Sequence, residues 1–405
     1  MQRISRAAAA LAAVFVLALA QQQQTQRLGS FAIRSGKLPL IAGSRLQLET
    51  TGAPQQLSYT VLGAGTVEGD TYEAPLVDAP AFATVIAAGQ GALAAQRFAL
   101  VPPPQSSRPL IAVASYDDGI VLHDPQTFAI LGTFALGGPP GDVTFSSDGT
   151  LYAPDTDGET LTEIARHPWT THRISGVLTG NEVAVDARGG AIFVSDRDVN
   201  GLGALTRVAG TQTQRVITGE TAEGLAIDAK RALVYTGNVN DASIAVVDAG
   251  TMRIVRKLRS APRTFGIALD TNASRLYVVA NISPDMRIGS GYVAAIDLRA
   301  PQGKIVARSA GLPFPVGIAA DGARLFVTDE SSSEVYVLNA RTLKADHAGM
   351  PTCKTPWRPR IAHGRLYVPC TGSNQVDVID LKTLRRVRGA PFKTGGYPLS
   401  VAVWP

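Results

Sequence analysis

The chain of 405 residues carries 38 Lys and Arg against 33 Asp and Glu, with 45% hydrophobic and 18% charged residues. That balance excludes long disorder, and the lack of any basic run of five or more argues against nucleic acid as a partner. The length exceeds one simple core and calls for two domains or one large repeat array.

At the N-terminus, Arg3 and Arg6 precede a 14-residue apolar run, 7–20, that ends in Ala18-Leu19-Ala20. A basic n-region, an apolar h-region and an A-x-A site in that order predict a cleaved signal peptide over 1–20. The run falls short of the roughly 20 residues that span a bilayer. A membrane anchor is the alternative, and the mature chain is expected to have no membrane span. Export places the protein in the periplasm or the medium, with 36 basic and 33 acidic residues once Arg3 and Arg6 are removed. The glutamine-rich stretch 21–30 reads as a flexible leader. Residues 31–101 alternate through SRLQLET, QQLSYTVLGAGTV and QRFALV, and this period of two predicts a small all-β domain. The prolines and serines of VPPPQSSRP, with a linker at 102–108, are suited to separating that domain from the C-terminal part of the chain.

From 109 to 405 the chain repeats itself. RLFVTDESSSEVYVLNARTL from Arg324 and RLYVPCTGSNQVDVIDLKTL from Arg365 start 41 residues apart. Short apolar strands around Val143, Val183, Leu225, Ile267, Ile318, Ile361 and Val401 recur at spacings of 40, 42, 42, 51, 43 and 40. Each of the first six leads into a turn and a second strand, such as LYAPD, IFVSD or LFVTD, then into third and fourth strands. Asp148-Gly149, Asp321-Gly322 and His363-Gly364 suit tight hairpins that need positive φ. About 42 residues per four-stranded unit is the spacing of a β-propeller blade. Residues 110–136 supply second, third and fourth strands without a first, and PLSVAVWP supplies a first strand alone. Together they complete a ring of seven blades. A linear solenoid would instead need polar caps at both ends.

The repeat resembles that of the YVTN β-propeller family, whose unit runs P-x-G-I-A, D-G, R-L-Y-V-T-N and V-x-V-I-D-x-x-T. The matching residues are Pro315 to Ala319, Asp321-Gly322, Arg324 to Asp329, Arg365 to Val368 and Val376 to Thr383. The likeness covers 109–405 and implies an all-β, seven-bladed, exported propeller of the YncE-like kind. Blades two and three depart from it, lacking the Asp that ends the third strand, and blade five carries the insertion NISPDMRIGSGY. GAGTVEGDTYEAP at 63–75 resembles a stretch of bacterial immunoglobulin-like modules. That resemblance implies a small immunoglobulin-like β-sandwich over 31–101, acting as a spacer or adhesion piece.

In such a ring, the loops entering the first strand and those joining strands two and three share one face around the channel. At the starts of the inner strands stand Asp142, Glu182, Glu223, Arg263, Arg358 and Arg360. At the tips of the second strands stand Asp155, Asp196, Asn238, Asn281 and Asp329. Acidic groups gather on blades two to four and arginines on blades five and seven. That asymmetry predicts a funnel orienting a polar ligand, its arginines gripping a carboxylate or phosphate. The competing reading is that strand-end Asp and Asn cap their own turns, as expected of Asp124, Asp248, Asp297 and Asp380. Asp142 and Glu182 replace the glycine found at Gly224, Gly266 and Gly317, so with Arg360 they lead the candidates for a ligand or cation site.

Cys353 and Cys370, in an oxidising compartment and with no nearby His pair, predict a structural disulfide rather than zinc ligation. Trp169 and Trp357 are either carbohydrate platforms or packed core. His363 reads as a turn residue beside Gly364. No metal or cofactor motif stands out, and a structural Ca²⁺ in the channel stays open as an alternative.

The leading functional reading is a monomeric, exported binding or scaffold protein presenting its funnel to a cell-envelope protein or a polar small molecule. The alternative is a lactonase of the seven-bladed 6-phosphogluconolactonase type, with parts for Glu182, Glu223 and Arg358. No histidine and no G-x-S-x-G elbow joins them. A redox partner like the periplasmic dehydrogenase propellers is a third reading, against which the missing C-x-x-C-H haem site weighs.

Overall fold

A computed structural model describes residues 31–34, 38–281 and 290–405, apart from the side chain of residue 198. The expected signal peptide (1–20), the leader (21–30) and most of the insertion after Asn281 lie outside the described residues. Among the described residues every helix or strand element is a strand, so the chain is all-β. No helix of the described residues is long and apolar enough to cross a membrane.

Each repeat forms one antiparallel sheet with its strands in chain order. In the 180–219 sheet, Gly180–Val185, Ile192–Val199, Leu202–Ala209 and Gln212–Gly219 pair in succession. The sheets at 144–175, 222–259, 264–308, 315–351 and 360–386 follow the same plan, the last with an added short strand, Phe392–Lys393. Second and third strands read as nearly continuous apolar runs because both of their faces are covered: Leu325, Phe326 and Val327 have no exposed surface. Fourth strands such as Gln212–Gly219 lie at the rim and are largely exposed.

The core explains the repetition. One cluster packs Leu161 and Ile174 against Val183 and Val194, and the next packs Phe193 and Leu205 against Leu225 and Val234. Successive clusters pass in this way from sheet to sheet, and the last packs Tyr367 and Val378 against Val113 and Val401. Val113 and Val401 belong to a sheet shared by distant parts of the chain. Pro398–Trp404 pairs antiparallel with Leu110–Ser115, placing Leu110 opposite Trp404 and Val113 opposite Val401. Each buried Leu, Val or Ile contributes about 1.5–3 kcal/mol, so every sheet depends on both neighbours.

The closing sheet does not stop at Ile130–Phe134. Leu40–Ile41 pairs parallel with that strand and with Ala92–Val101, extending one sheet through Ala81–Gly89 to Ser58–Gly63, eight strands in all. The remaining N-terminal strands surround a core in which Tyr72 stacks on Phe98 at 5.4 Å. The 102–108 stretch, read from the sequence as a linker, is itself bonded to the neighbouring sheet. Proline removes N–H donors but keeps carbonyl acceptors, and these are used. Trp169 Nε1 donates to Pro104 O at 2.7 Å, and Arg166 donates to Ser106 O and Arg108 O at 2.5 and 2.7 Å. Trp169, also stacked on Phe134, is therefore packed rather than displayed.

The turn readings agree with the geometry. Gly149, Gly322 and Gly364 have φ of +86°, +92° and +71°, and His363 has +48°. Asp124, Asp248, Asp297 and Asp380 each accept backbone N–H groups of their own turn. Cys353 and Cys370 are joined with their Cα atoms 5.7 Å apart.

Candidate functional site

The inner strands converge at their starts, and the residue before each apolar position decides how neighbours meet there. Gly224 lets backbones touch, since a Cβ on it would lie 2.8 Å from Phe265 O. Asp142 and Glu182 occupy the same place and reach the neighbour with a carboxylate instead. Asp142 accepts from Val183 N at 3.0 Å, and Glu182 accepts from Leu225 N at 2.9 Å. Both are staples between successive sheets. Arg360 pairs with Asp142 at 2.9 Å, and that carboxylate raises the guanidinium pKa.

Arg358 ties four inner-strand starts together. Its Nε lies 3.1 Å from Glu182 Oε1, and Nη1 donates to Gly141 O at 3.0 Å and Asn181 O at 3.3 Å. Its Nη2 donates to Asn181 Oδ1 at 2.6 Å and Glu223 Oε2 at 3.3 Å. Of the guanidinium's three nitrogens, Nη1 and Nη2 thus hydrogen-bond to neighbouring strands while Nε pairs by charge with Glu182. Asn181 Nδ2 donates in turn to Glu223 Oε2 at 2.7 Å, and Arg197 Nε lies 2.8 Å from Glu223 Oε1. Three guanidiniums thus face three carboxylates, close to neutrality. Burial pushes the Glu182 carboxyl up to about 7, against the opposing pull of Arg358 and Arg360.

The second-strand tips serve a different purpose. Asp155 accepts from Asp157 N and Gly158 N, both at 2.9 Å. Asp196 accepts from Leu178 N at 3.0 Å and from the Thr206 hydroxyl, and Asp329 accepts from Phe314 N at 2.7 Å. These carboxylates fasten loops, and burial raises the pKa of Asp155 and Asp196. The register also moves one candidate. Gly180, Ala222 and Pro315 face Asp196, Asn238 and Asp329, but Thr264 faces Ala280, so Asn281 lies one residue past the tip. Arg263 donates to it from Nε at 3.3 Å. Pro356 faces Cys370, which therefore holds the tip position, and its disulfide reaches the entry loop.

A cavity of about 440 Å³ opens at these strand starts, and its lining has two arcs. Phe265, Trp357, Tyr397, Leu399 and Tyr116 form an aromatic and apolar arc contributed by the 264–308, 360–386 and closing sheets and their loops. Thr156, Asp157, Thr179, Asn181, Arg197 and Glu223 form a polar arc from the 144–175, 180–219 and 222–259 sheets. Of the candidate ligand residues, Glu223 and Arg358 line this cavity. Asp142, Glu182, Arg360, Arg263, Asp155, Asp196 and Asp329 are not on its wall and serve internal contacts. Sequence reasoning missed Asn181, Arg197, Tyr116 and Tyr397. The signal lay two and four residues before each repeat's apolar position, where Asn181, Glu223, Phe265, Leu399, Trp357 and Tyr397 all fall. Among the described residues no group of three or more His, Cys, Asp or Glu side chains is arranged to hold a metal.

No family model matches the chain. Over 256 residues it is 27% identical to uncharacterized protein YncE of Salmonella typhi, covering 61% of this chain and 65% of that one. The same figures hold for YncE of Salmonella typhimurium, so the chain spans just under two thirds of the length of these relatives. A solved protein of Bacteroides fragilis, provisionally assigned as a 6-phosphogluconolactonase, superposes with a TM-score of 0.60 at 12% identity, over 75% of this chain and all of that one. Hydrazine synthase of Kuenenia stuttgartiensis matches with a TM-score of 0.57 at 14% identity, over 73% of this chain and 92% of that chain. The chain folds as a β-propeller. At these identities the likeness speaks to fold alone. In the propeller, the two-sided cavity lies where the inner strands begin.

Proposed function

We propose that the chain is an exported, seven-bladed β-propeller with an N-terminal immunoglobulin-like module that binds a polar ligand from the cell envelope without transforming it. The observation that carries this reading is the wiring of Arg358. The charged groups a lactonase would call on, Glu182 and Arg358, are spent on each other and on backbone, while the cavity beside them offers aromatic rings and paired charges. Such an arrangement holds a ligand between paired charges, and the carboxylate of Asp157 beside them takes the Tyr116 hydroxyl. The expected signal peptide and the Cys353–Cys370 bridge fit an oxidising compartment. A monomer with a protein or small-molecule partner on this face completes the reading.

The lactonase reading keeps one observation in its favour. Glu223 and Arg197 face the cavity as an ion pair at 2.8 Å, with Glu182 close to neutral protonation behind them. A thermal-shift panel of cell-wall fragments, aldonolactones, phosphosugars and divalent cations separates the two, since a native-state ligand raises Tm by mass action. A selective shift without turnover supports binding. Lactone hydrolysis that vanishes in Glu223→Gln would overturn it.

A further inference from the structure

We propose that the cavity takes a neutral saccharide of one or two pyranose rings, an assignment that rests on the binding reading above and names its ligand class. The division of the lining into an aromatic and a polar arc is the first ground. A pyranose has the same division: faces of C–H groups that pack on aromatic rings, and edges of hydroxyls that both donate and accept. Arg197 offers donors on the polar arc, and Asp157, Glu223 and the Thr156 hydroxyl, which donates to Pro139 O, offer acceptors. The volume of about 440 Å³ falls within the range of small-molecule sites and leaves room for a disaccharide.

The second ground is the aromatic platform. Tyr116 and Tyr397 stand edge to face at 6.1 Å and are 43% and 50% exposed, large rings left in solvent at a cavity mouth. They are held in place. Tyr116 N donates to Tyr397 O at 3.1 Å, and Tyr397 N donates to Asn374 Oδ1 at 3.0 Å. Ser115 Oγ donates to Gly396 O at 2.6 Å, and Gly396 N to Asp118 Oδ2 at 2.6 Å. Tyr397 keeps φ at +53°, a conformation that bulky residues adopt rarely and that the surrounding bonds impose. Phe265 and Trp357 continue the arc at 6.3 Å from one another.

The third ground selects neutral sugars over charged ones. Arg358 is buried and paired with Glu182 and Glu223, and Arg197 is paired with Glu223. Asp157, which takes the Tyr116 hydroxyl at 3.4 Å, adds negative charge to the wall. A phosphate or carboxylate would compete with Glu223 for Arg197 and meet the charge of Asp157, whereas hydroxyls add to the pair.

The test is calorimetric titration of the full chain with cellobiose, maltose and N,N′-diacetylchitobiose, with gluconate and glucose 6-phosphate as charged arms. At least one neutral disaccharide should bind and alter tryptophan emission through Trp357. Tyr116→Ala, on an exposed loop, should weaken binding several-fold. Adding Tyr397→Ala should bring the loss to roughly tenfold or more, while Tyr397→Phe retains binding. Failure of every neutral sugar overturns the assignment, as does affinity unchanged in the double tyrosine variant. Binding of the charged sugars alone overturns it too, yet leaves the binding reading standing. Turnover of a lactone would sink both.

Discussion

At the scale of single residues, Arg358 has the largest part. It is 9% exposed and bonded to groups from three other sheets, so its removal leaves Glu182 buried without its ion-pair partner and Glu223 with Arg197 alone. Arg358→Ala is expected to destabilise the fold by about 3–5 kcal/mol, read as a lower urea midpoint. Arg358→Lys should restore little, because an ammonium cannot reproduce a planar fork of five donors. An unchanged midpoint in Arg358→Ala would show that the tie is dispensable. The sequence made Arg358 visible as a charged inner-strand residue, and Asp142 and Glu182 as exceptions to a glycine column. It could not show how these charges are satisfied, because the separations along the chain run from 41 residues to 217. Asn181, the side chain that joins Arg358 to Glu223, carries no charge to mark it in the sequence.

At the scale of elements, the strands were legible because their period is short and their turns carry chemistry, as at Asp321-Gly322 and His363-Gly364. Less legible was the part the tips play. Asp196 and Asp329 bind the entry loop by hydrogen bonds, and Cys370 does so covalently. Breaking that bond by Cys353→Ser with Cys370→Ser is expected to cost about 3 kcal/mol, visible as a lower Tm that reductant no longer affects. The closing sheet carries a second prediction. His123 has no exposed surface; its Nδ1 donates to Phe128 O at 3.0 Å, and its Nε2 accepts from the Thr394 hydroxyl at 2.9 Å. Burial lowers its pKa from 6.5 to about 4. The unfolded chain therefore binds a proton in this window that the folded chain refuses. Stability from this group is complete above pH 6.5 and falls as pH drops toward 4, by roughly 3 kcal/mol. In His123→Gln that increment of acid sensitivity should disappear. Denaturation midpoints at pH 7 and pH 4 in both proteins decide the matter, and equal losses would refute it.

At the scale of the whole molecule, the repeat announced a ring, and the alignment of 110–136 with PLSVAVWP announced how it closes. What the repeat could not announce was the attachment of the N-terminal part, which has another pattern. Its strand pairing with the ring runs through Leu40 and Ile41, too few to register as a strand by alternation, with Arg45 N bonded to Ala135 O beside them. Ile41 lies against Gly132, where a Cβ would stand 2.7 Å from its side chain and φ is +149°. Gly132→Val should wedge the two parts asunder at a cost of about 1–3 kcal/mol, and limited proteolysis near 102–108 should then release a fragment that the parent withholds. Equal resistance of the two proteins would show that the sheet is not what unites them. The partnership of Leu110–Ser115 with Pro398–Trp404 has one more consequence. A ribosome delivers the first of these strands long before the second, so during synthesis the growing polypeptide carries an open strand edge that waits for Pro398–Trp404 to cover it. A stop codon before 398 would thus leave a chain that seeks its missing strand in other molecules.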